Sequence, residues 1–324
     1  MKNNVYSKYD LEAAKILDDF LPEKMFDAHS HVSHFSYGAI GQATIDGFKK
    51  AFAPLVGNRL LRANAISVPD KFIFGEGERD RADAFLKSEL DAHPDCVGEI
   101  LVMPTDTPEE IERRLIHKNV IGLKCYHLFA NREKTFDAAI GEYLPESAWE
   151  VANKHKLAIT LHMVRDTALA DPDNLSYIQT MAKKYPDAVL ILAHAARAFA
   201  AWTAIETVEK IAHLENVWYD FGAVCESPAI MQIIKKVGIK RCMWGTDYNI
   251  CQLAGKAISI ADQFYWINEN DLASFAATSP TTFHSWLIST ETLMAHRQAC
   301  QLLDLTRKDV EDLFYENANT LFSR

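Results

Sequence analysis

Histidine and carboxylate residues recur in the sequence at spacings that can hold a metal ion. The run Asp27-Ala28-His29-Ser30-His31 lies in a short apolar segment. Alternate side chains of a strand share one face, so His29 and His31 point the same way. Two neutral imidazoles on one face suit zinc and its neighbouring divalent ions. Because one such pair among twelve histidines can arise by chance, the interpretation depends on further ligand-type residues.

Three further ligand-type residues lie at the ends of apolar segments. His162 lies near the end of LAITLHMV, His194 lies in VLILAHAA, and Asp247 follows Trp-Gly-Thr. A polar side chain buried in such a segment is costly unless it is paired. Each residue by itself is compatible with a satisfied core position. A common site is the better explanation only if the fold brings the segment ends together.

Eight short apolar segments, separated by segments of helical periodicity, must position these residues. They are residues 25–32, 63–69, 96–104, 121–128, 157–164, 189–196, 216–224 and 241–248. Strands that alternate with helices pair in parallel, and eight such units predict a single-domain (β/α)8 TIM barrel. Active sites of this fold lie at the C-terminal strand ends. The histidines and Asp247 fall at those ends, so we expect them to converge.

Two segments lie outside the repeating pattern. Residues 1–24 form an N-terminal extension, and residues 25–324 form the barrel. An aromatic-rich insertion at about 264–308 precedes a C-terminal helix at about 309–322. Three placements of the insertion remain open: over the barrel mouth, against another subunit of a homo-oligomer, or on the outside of the barrel.

Composition excludes several classes of function. The 324 residues carry a formal charge of −10 without a basic stripe, which disfavours nucleic acid as a partner. Six scattered cysteines give no disulfide framework and fit a reducing compartment. The N-terminus lacks the apolar core of a signal peptide, and no apolar run is long enough to span a membrane. We therefore expect a cytoplasmic protein without a membrane partner.

Two arginines follow the ligand-type histidines at the same short distance. Arg165 comes three residues after His162, and Arg197 comes three residues after His194. Loops at this end of a barrel carry substrate-binding groups, and a planar guanidinium suits a carboxylate. We therefore expect a small carboxylated substrate held by Arg165, Arg197 or both. The alternative is that the two arginines form ordinary surface ion pairs.

The combined motifs resemble a known family. The pattern Asp27-x-His29-x-His31, His162, His194 and Asp247 is similar to that of the amidohydrolase superfamily. Gly-Leu-Lys at 122–124, Leu-Ala-His at 192–194 and Gly-Thr-Asp at 245–247 resemble the branch called amidohydrolase family 2. That branch includes aminocarboxymuconate-semialdehyde decarboxylase and pyrone-dicarboxylate lactonase.

The resemblance implies a metal site and a role for each residue. One divalent ion, zinc or alternatively manganese, would be bound by His29, His31, His162 and Asp247. Asp247 and His194 would be catalytic, with Asp247 accepting a proton and His194 stabilising the reacting group. Lys124 would bind a substrate anion, with two alternatives: a carboxylated bridge between two metals, or an ordinary barrel residue paired with a carboxylate.

The reaction is less constrained than the site. The leading hypothesis is metal-assisted hydrolysis of a small carboxylated lactone, ester or amide. The alternative is a metal-dependent decarboxylase of the same superfamily. A barrel that binds without catalysis is the third hypothesis, and an intact set of ligand-type residues argues against it.

Overall fold

Eight parallel strands form the centre of the computed structural model, which describes residues 6–36, 42–68, 77–280 and 283–323. Each strand pairs with the next one along the chain, in the order β1 to β8. The strands are β1 (Lys24–Val32), β2 (Leu60–Ser67), β3 (Val97–Leu101), β4 (Val120–Tyr126), β5 (Ala158–His162), β6 (Val189–Leu192), β7 (Val217–Asp220) and β8 (Cys242–Met243).

The barrel closes where the chain after β8 meets β1. The Asp247 N–H donates to the His29 carbonyl at 2.8 Å, and the His31 N–H donates to the Tyr248 carbonyl at 2.7 Å. The predicted (β/α)8 barrel is therefore confirmed. All eight strand bounds differ from the prediction by at least one residue. The largest differences are that β2 begins at Leu60 rather than at residue 63, that β6 and β7 end at Leu192 and Asp220 rather than at residues 196 and 224, and that regular β8 has only two residues. The rest of the predicted eighth strand is a loop that still bonds to β1.

Most of the helices follow the strands and cover the outside of the barrel. They are α1 (Lys8–Asp18), α2 (Ile45–Val56), α3 (Glu78–Ala92), α4 (Pro108–Arg114), α5 (Glu146–His155), α6 (Pro172–Lys184), α7 (Trp202–Thr207), α8 (Ser227–Val237), α9 (Glu269–Thr278), α10 (Ile288–Leu302), α11 (Arg307–Glu311) and α12 (Asn317–Phe322). A π-helical segment, Asp312–Glu316, joins α11 to α12. The apolar stripe of each barrel helix packs on the strands, as in α8, which buries Ile230, Ile233 and Ile234.

The two segments outside the repeat have defined structure. In the N-terminal extension, the buried carboxylate of Asp10 on α1 accepts hydrogen bonds from the Leu287 N–H and the Thr290 hydroxyl at the start of α10. The additional structure after β8 begins with an antiparallel hairpin, β9 (Gly255–Ile260) and β10 (Gln263–Asn268). The hairpin thus starts before residue 264, while α10 lies on the outside of the barrel against α1 and α8.

The barrel interior is apolar at one end and polar at the other. Phe26 and Ala28 of β1 pack with Val97, Trp218 and other inward side chains, and the C-terminal helix contributes Leu321 and Phe322 to the same cluster. Rings of Phe26 and Phe322 lie 5.6 Å apart between centroids. α12 therefore closes the bottom of the barrel, opposite the C-terminal strand ends where the predicted site lies.

Candidate metal and catalytic site

A β-bulge in β1 turns the two predicted histidines into the barrel. Asp27 pairs with Ala63 and Ser30 pairs with Ala65, so β1 has one more residue than β2 between these pairs. Such a bulge re-aims the side chains that follow it. Phe26 and Ala28 face the interior before the bulge, and without it His29 would point outwards. The buried Asp27 carboxylate braces this turn, because it accepts the N–H groups of His29 and Thr246.

His29, His31 and Asp247 form a compact group of potential ligands. Asp247 Oδ1 lies 3.0 Å from His31 Nε2 and 3.8 Å from His29 Nε2. Two ligands of one tetrahedral zinc ion are roughly 3.4 Å apart. The three atoms therefore have the mutual spacing that one divalent ion requires. Asp247 has a left-handed backbone, φ 58°, which is costly for a residue other than glycine and is frequent at functional sites.

The second ring nitrogen of each histidine already has an acceptor. His29 Nδ1 lies 3.1 Å from Asp220 Oδ2, and His31 Nδ1 lies 3.3 Å from the carbonyl of Ile66. In His29, the acceptor at Nδ1 places the proton there and leaves the Nε2 lone pair for a cation. The His31 ring has acceptors at both nitrogens, because Asp247 Oδ1 lies 3.0 Å from its Nε2. Burial, and to a smaller extent the charge of Lys124, lowers the pKa of His29 to about 4. His29 is therefore a neutral imidazole at pH 7, which is the form that binds metals.

Hydrogen bonds also determine which ring nitrogen carries the proton in His162 and His194, at the ends of β5 and β6. His194 Nδ1 donates to the Gly222 carbonyl at 2.9 Å, so its Nε2 can only accept. His162 Nδ1 lies 3.2 Å from that Nε2 and therefore donates to it. The Nε2 of His162 is thus left with a free lone pair. Among the described residues, two groups have ligand atoms that all lie within 4.8 Å of one another, and both contain His29. His162 belongs to neither group.

His194 lies on a backbone turn of unusual handedness. Residues 194–197 have φ values of 56°, 55°, 59° and 59°, so Ala193–Arg197 forms a left-handed turn directly after β6. A left-handed conformation costs about 1–2 kcal/mol per residue other than glycine. Tertiary contacts must therefore impose it. The turn directs His194 towards His29, with ring centroids 4.9 Å apart.

Asp220 at the end of β7 is a site residue that sequence reasoning missed. Its carboxylate is fully buried and belongs with His29 and His194 to the second group of potential ligands. Burial alone would raise the pKa of this carboxyl group, but the contacts with His29, His194 and the Gly222 N–H lower it well below its ordinary value. Asp220 is therefore ionised. The signal was present in the sequence, because Asp220 ends the apolar run Val-Trp-Tyr-Asp as His162 ends its own strand.

Lys124 lies beneath the ligands rather than in the open mouth. Its side chain is fully buried, and its Nζ is 3.3 Å from His29 Nε2. Burial lowers the pKa of Lys124, opposed by the charges of Asp220 and Glu99. Glu99, also missed from sequence, accepts hydrogen bonds from the Asn64 amide at 2.8 Å and the Thr160 hydroxyl at 2.9 Å. Lys124 thus lies among acidic and polar interior groups.

The two predicted substrate-binding arginines have different surroundings. Arg165 Nη1 contacts Asp171 at 2.8 Å and Asp173 at 2.9 Å, so its charge is already balanced. Arg197 Nη1 donates to the Arg165 carbonyl at 3.1 Å, and within the described ranges no carboxylate forms an ion pair with it. The Arg197 guanidinium lies over the rings of Phe264 and Phe136, at 5.2 and 5.8 Å from their centroids.

The hairpin after β8 contributes an aromatic wall beside His194. Phe199 stacks on the His194 ring at 5.6 Å and packs against Phe264 at 4.9 Å and Trp266 at 5.2 Å. Phe264 and Trp266 belong to β10. This part of the predicted insertion therefore reaches the mouth of the barrel, whereas α10 covers its outside.

Comparisons with known proteins agree with this fold. The sequence profile described as amidohydrolase matches residues 27–324. No curated protein matches the chain significantly. Among the residues that the structure describes, no helix is long and apolar enough to cross a membrane.

Three solved structures are similar over nearly their whole length. An amidohydrolase from Burkholderia multivorans with bound zinc has a TM-score of 0.59 at 12% identity, covering 93% of this chain and 99% of that one. A protein from Pseudomonas putida assigned as a 2-pyrone-4,6-dicarboxylic acid hydrolase has a TM-score of 0.57 at 13% identity, with 94% and 98% covered. A 5-carboxyvanillate decarboxylase from Novosphingobium aromaticivorans, with manganese and a nitrobenzoic acid, has a TM-score of 0.56 at 12% identity, with 93% and 97% covered.

These identities are too low to transfer an activity, and the structural similarities establish the barrel fold. The profile match, in contrast, spans almost the entire chain. On that evidence, the chain belongs to the amidohydrolase family.

Proposed function

We propose that this protein is a metal-dependent hydrolase that acts on a small carboxylated lactone, ester or amide. One observation carries the proposal: His29, His31 and Asp247 present ligand atoms at single-ion spacing, and each histidine has its Nδ1 occupied by an acceptor. Such an arrangement favours a proton on Nδ1 and turns the Nε2 atoms towards Asp247, where a cation would bind. The family is metal-dependent, and its solved neighbours hold zinc or manganese.

We assign one divalent ion, zinc or manganese, to His29, His31, Asp247 and His162. His162 is included because its Nδ1–H donates a hydrogen bond to His194. The lone pair on its Nε2 is then left to bind the ion. A divalent ion in this position would polarise a substrate carbonyl and bring the pKa of a water molecule down to roughly 7.

The protein's own groups supply proton transfer. Burial alone would raise the pKa of Asp247, but the His31 ring, whose Nε2 lies 3.0 Å from Oδ1, and the neighbouring rings of His194 and His29 lower it far more. Asp247 is therefore an ionised carboxylate that can accept a proton from attacking water. His194 is held by the Gly222 carbonyl, so its ring has a fixed orientation towards the same space. We assign it the stabilisation of the reacting oxygen.

Arg197 is the group that we assign to the substrate carboxylate. It forms no ion pair with a carboxylate among the described residues, and burial lowers the pKa of its guanidinium against the opposing charge of Asp166. Arg165, in contrast, is already paired with Asp171 and Asp173. A desolvated guanidinium forms strong bidentate contacts with a carboxylate. The aromatic rings of Phe264 and Phe136 beside Arg197 suit a planar substrate.

Decarboxylation is the second candidate, because one of the similar structures is a carboxyvanillate decarboxylase. The same side chains would serve it: the metal ligands and His194 would hold a carbonyl or hydroxyl group of the substrate. The bond to the carboxylate would break, its electrons would remain on the substrate carbon, and a proton would replace the departing carbon dioxide.

A parallel screen separates the two reactions. The metal-loaded protein is incubated with lactones, including dicarboxylated pyrones, and with hydroxylated aromatic carboxylates. Hydrolysis is measured as acid release in a pH-stat, and decarboxylation as released carbon dioxide. Acid release from a lactone without carbon dioxide supports the proposal. Carbon dioxide from an aromatic carboxylate without lactone turnover replaces hydrolysis with decarboxylation, and an inactive loaded protein in both arms contradicts both assignments.

A further inference from the structure

Asp220 connects the predicted ligand His29 to the left-handed turn that carries His194. Its Oδ2 lies 3.1 Å from His29 Nδ1. Its Oδ1 accepts the N–H groups of His194 at 3.2 Å and Gly222 at 2.9 Å. One buried carboxylate at the end of β7 thus contacts residues from β1 and from the segment after β6.

The same three residues, His29, His194 and Asp220, have the spacing of a metal site, but their bonding argues against one. Asp220 Oδ1 already faces two N–H donors, whose positive ends would repel a cation. His194 Nδ1 carries the proton that it donates to the Gly222 carbonyl, so it has no lone pair to offer. The group is therefore a hydrogen-bond network.

Close packing at Gly222 supports a dedicated role for this network. A Cβ at position 222 would lie 3.2 Å from Asp220 Oδ1 and 3.5 Å from His194 Nδ1. The first distance is tighter than ordinary side-chain packing allows without a shift. Glycine therefore lets the backbone approach both side chains, and its N–H and carbonyl bond to Asp220 and His194 respectively.

We infer that Asp220 is a positioning residue that fixes the tautomer of His29, holding the proton on Nδ1 and the lone pair on Nε2, where the ion binds. By accepting the His194 N–H as well, it stabilises the left-handed turn and keeps His194 beside His29. The inference rests on the proposed function only in assigning a cation to His29 Nε2.

Asp220→Asn tests the role because it keeps the shape of the side chain and reverses one hydrogen bond. The amide oxygen can still accept the His194 and Gly222 N–H groups. The amide nitrogen then faces His29 Nδ1 as a donor, which favours the proton on Nε2 and blocks the metal-binding atom. Loss of such an orienting partner typically weakens metal binding by about 10–100-fold. We expect that loss in zinc affinity, measured by chelator competition, with little change in the melting temperature of the metal-free protein.

Asp27→Asn is the matched control. Asp27 is also a fully buried carboxylate at the same end of the barrel, but it bonds to the N–H groups of His29 and Thr246 and to the Thr246 hydroxyl, and to no ring nitrogen. Because an asparagine oxygen can still accept both N–H groups, we expect Asp27→Asn to lower zinc affinity much less than Asp220→Asn does. Equal losses of zinc affinity in the two variants would overturn the inference, as would unchanged affinity in Asp220→Asn.

The tautomer of His29 can be measured directly in the wild-type protein. Nitrogen-15 spectra of histidine-labelled, metal-free wild type should show His29 protonated on Nδ1, and Asp220→Asn should move the proton to Nε2. A wild-type His29 protonated on Nε2 contradicts the inference even if the variant fails to fold. Failure of the proposed function has a different signature, because a wild type that binds no metal at all would leave the tautomer result intact.

Discussion

The two sides of the barrel mouth are built in different ways. The β1/β8 side, with His29, His31 and Asp247, is held by backbone hydrogen bonds across the barrel closure and by the buried Asp27 carboxylate. The β5/β6 side carries Arg165, His194 and Arg197 on turns with positive φ, a conformation that Asp247 shares on the first side. The first side fixes ligand geometry, and the second exposes charge and aromatic surface.

This difference separates two tasks that the same mouth must perform. A metal site requires ligand atoms placed to within a fraction of an ångström, which rigid strands supply. Recognition of a carboxylated substrate requires a cation that is not already in an ion pair, and Arg197 is such a cation among the described residues, next to the aromatic rings of Phe136 and Phe264. We therefore expect substitutions of His29, His31 and Asp247 to affect metal binding, and those of His194, Arg165 and Arg197 to affect catalysis or substrate affinity.

The largest effect is expected from Asp247→Asn. This change removes both a ligand carboxylate and the proposed proton acceptor, while preserving the shape of the side chain. We expect turnover to fall by about 10⁴-fold, at the upper end of the effect of losing a general base. Metal content should fall as well. Retention of both full metal content and measurable turnover would remove Asp247 from the site and would erase the distinction between the two sides.

His194→Asn should lower turnover without removing most of the metal. The proposed role of His194 is to orient and stabilise the reacting group, which typically contributes about 10²–10⁴-fold to the rate. We expect the effect to lie in kcat, with the metal content of the purified variant close to that of the wild type. Complete loss of metal would place His194 among the ligands and would contradict its assignment as a group that acts on the substrate.

Arg197→Ala and Arg165→Ala form a matched pair on the β5/β6 side. Arg197 has no carboxylate partner in the described part of the chain, so its removal should raise KM for a carboxylated substrate by roughly tenfold to a thousandfold. Arg165 is already balanced by two aspartates, and its removal should change KM much less. Metal content should be unchanged in both. A larger rise in KM for Arg165→Ala than for Arg197→Ala would reverse the assignment.

The smallest effect concerns Glu99, which lies in the polar interior near Lys124. Burial raises the pKa of Glu99 to about 7, opposed by the hydrogen bond from Asn64 and the charge of Lys124. A raised carboxyl pKa contributes stability that is present below the unfolded value of about 4.3 and is lost as pH rises through about 7. The loss is on the order of 3 kcal/mol.

Glu99→Gln removes this titration. The melting temperature of the metal-free variant should exceed that of wild type by several degrees at pH 8, and the difference should shrink towards pH 4. Calorimetry of both proteins across this range is the measurement. A constant difference between the two melting temperatures at every pH would show that Glu99 does not titrate in that interval.

The barrel and most of the site could be predicted from the sequence. Both depend on the periodicity of apolar residues and on where polar residues lie relative to the predicted strands. Buried strands alternate with amphipathic helices, and His162 and Asp247 follow apolar runs. The same rule applied to Val-Trp-Tyr-Asp would have identified Asp220. Glu99 was harder to identify, since a carboxylate within a strand gives no signal until its partners Asn64 and Thr160 are known.

Other features depend on contacts that no local pattern encodes. The bulge between Asp27 and Ser30 is defined only by the register of β1 against β2. The sequence Ala-His-Ala-Ala-Arg favours a right-handed helix by propensity, yet tertiary contacts impose a left-handed turn on Ala193–Arg197. The pairing of Arg165 with Asp171 and Asp173 likewise depends on how the loop folds back.

Metal content tests the central claim most directly. The protein is purified without added metal, reconstituted separately with zinc and manganese, and analysed for bound elements per chain. We predict one divalent ion per chain, retained by wild type and by Arg197→Ala and lost from Asp247→Asn. Two ions per chain would favour a bridging role for Lys124. The absence of any stoichiometric metal, both as purified and after reconstitution, would contradict the account.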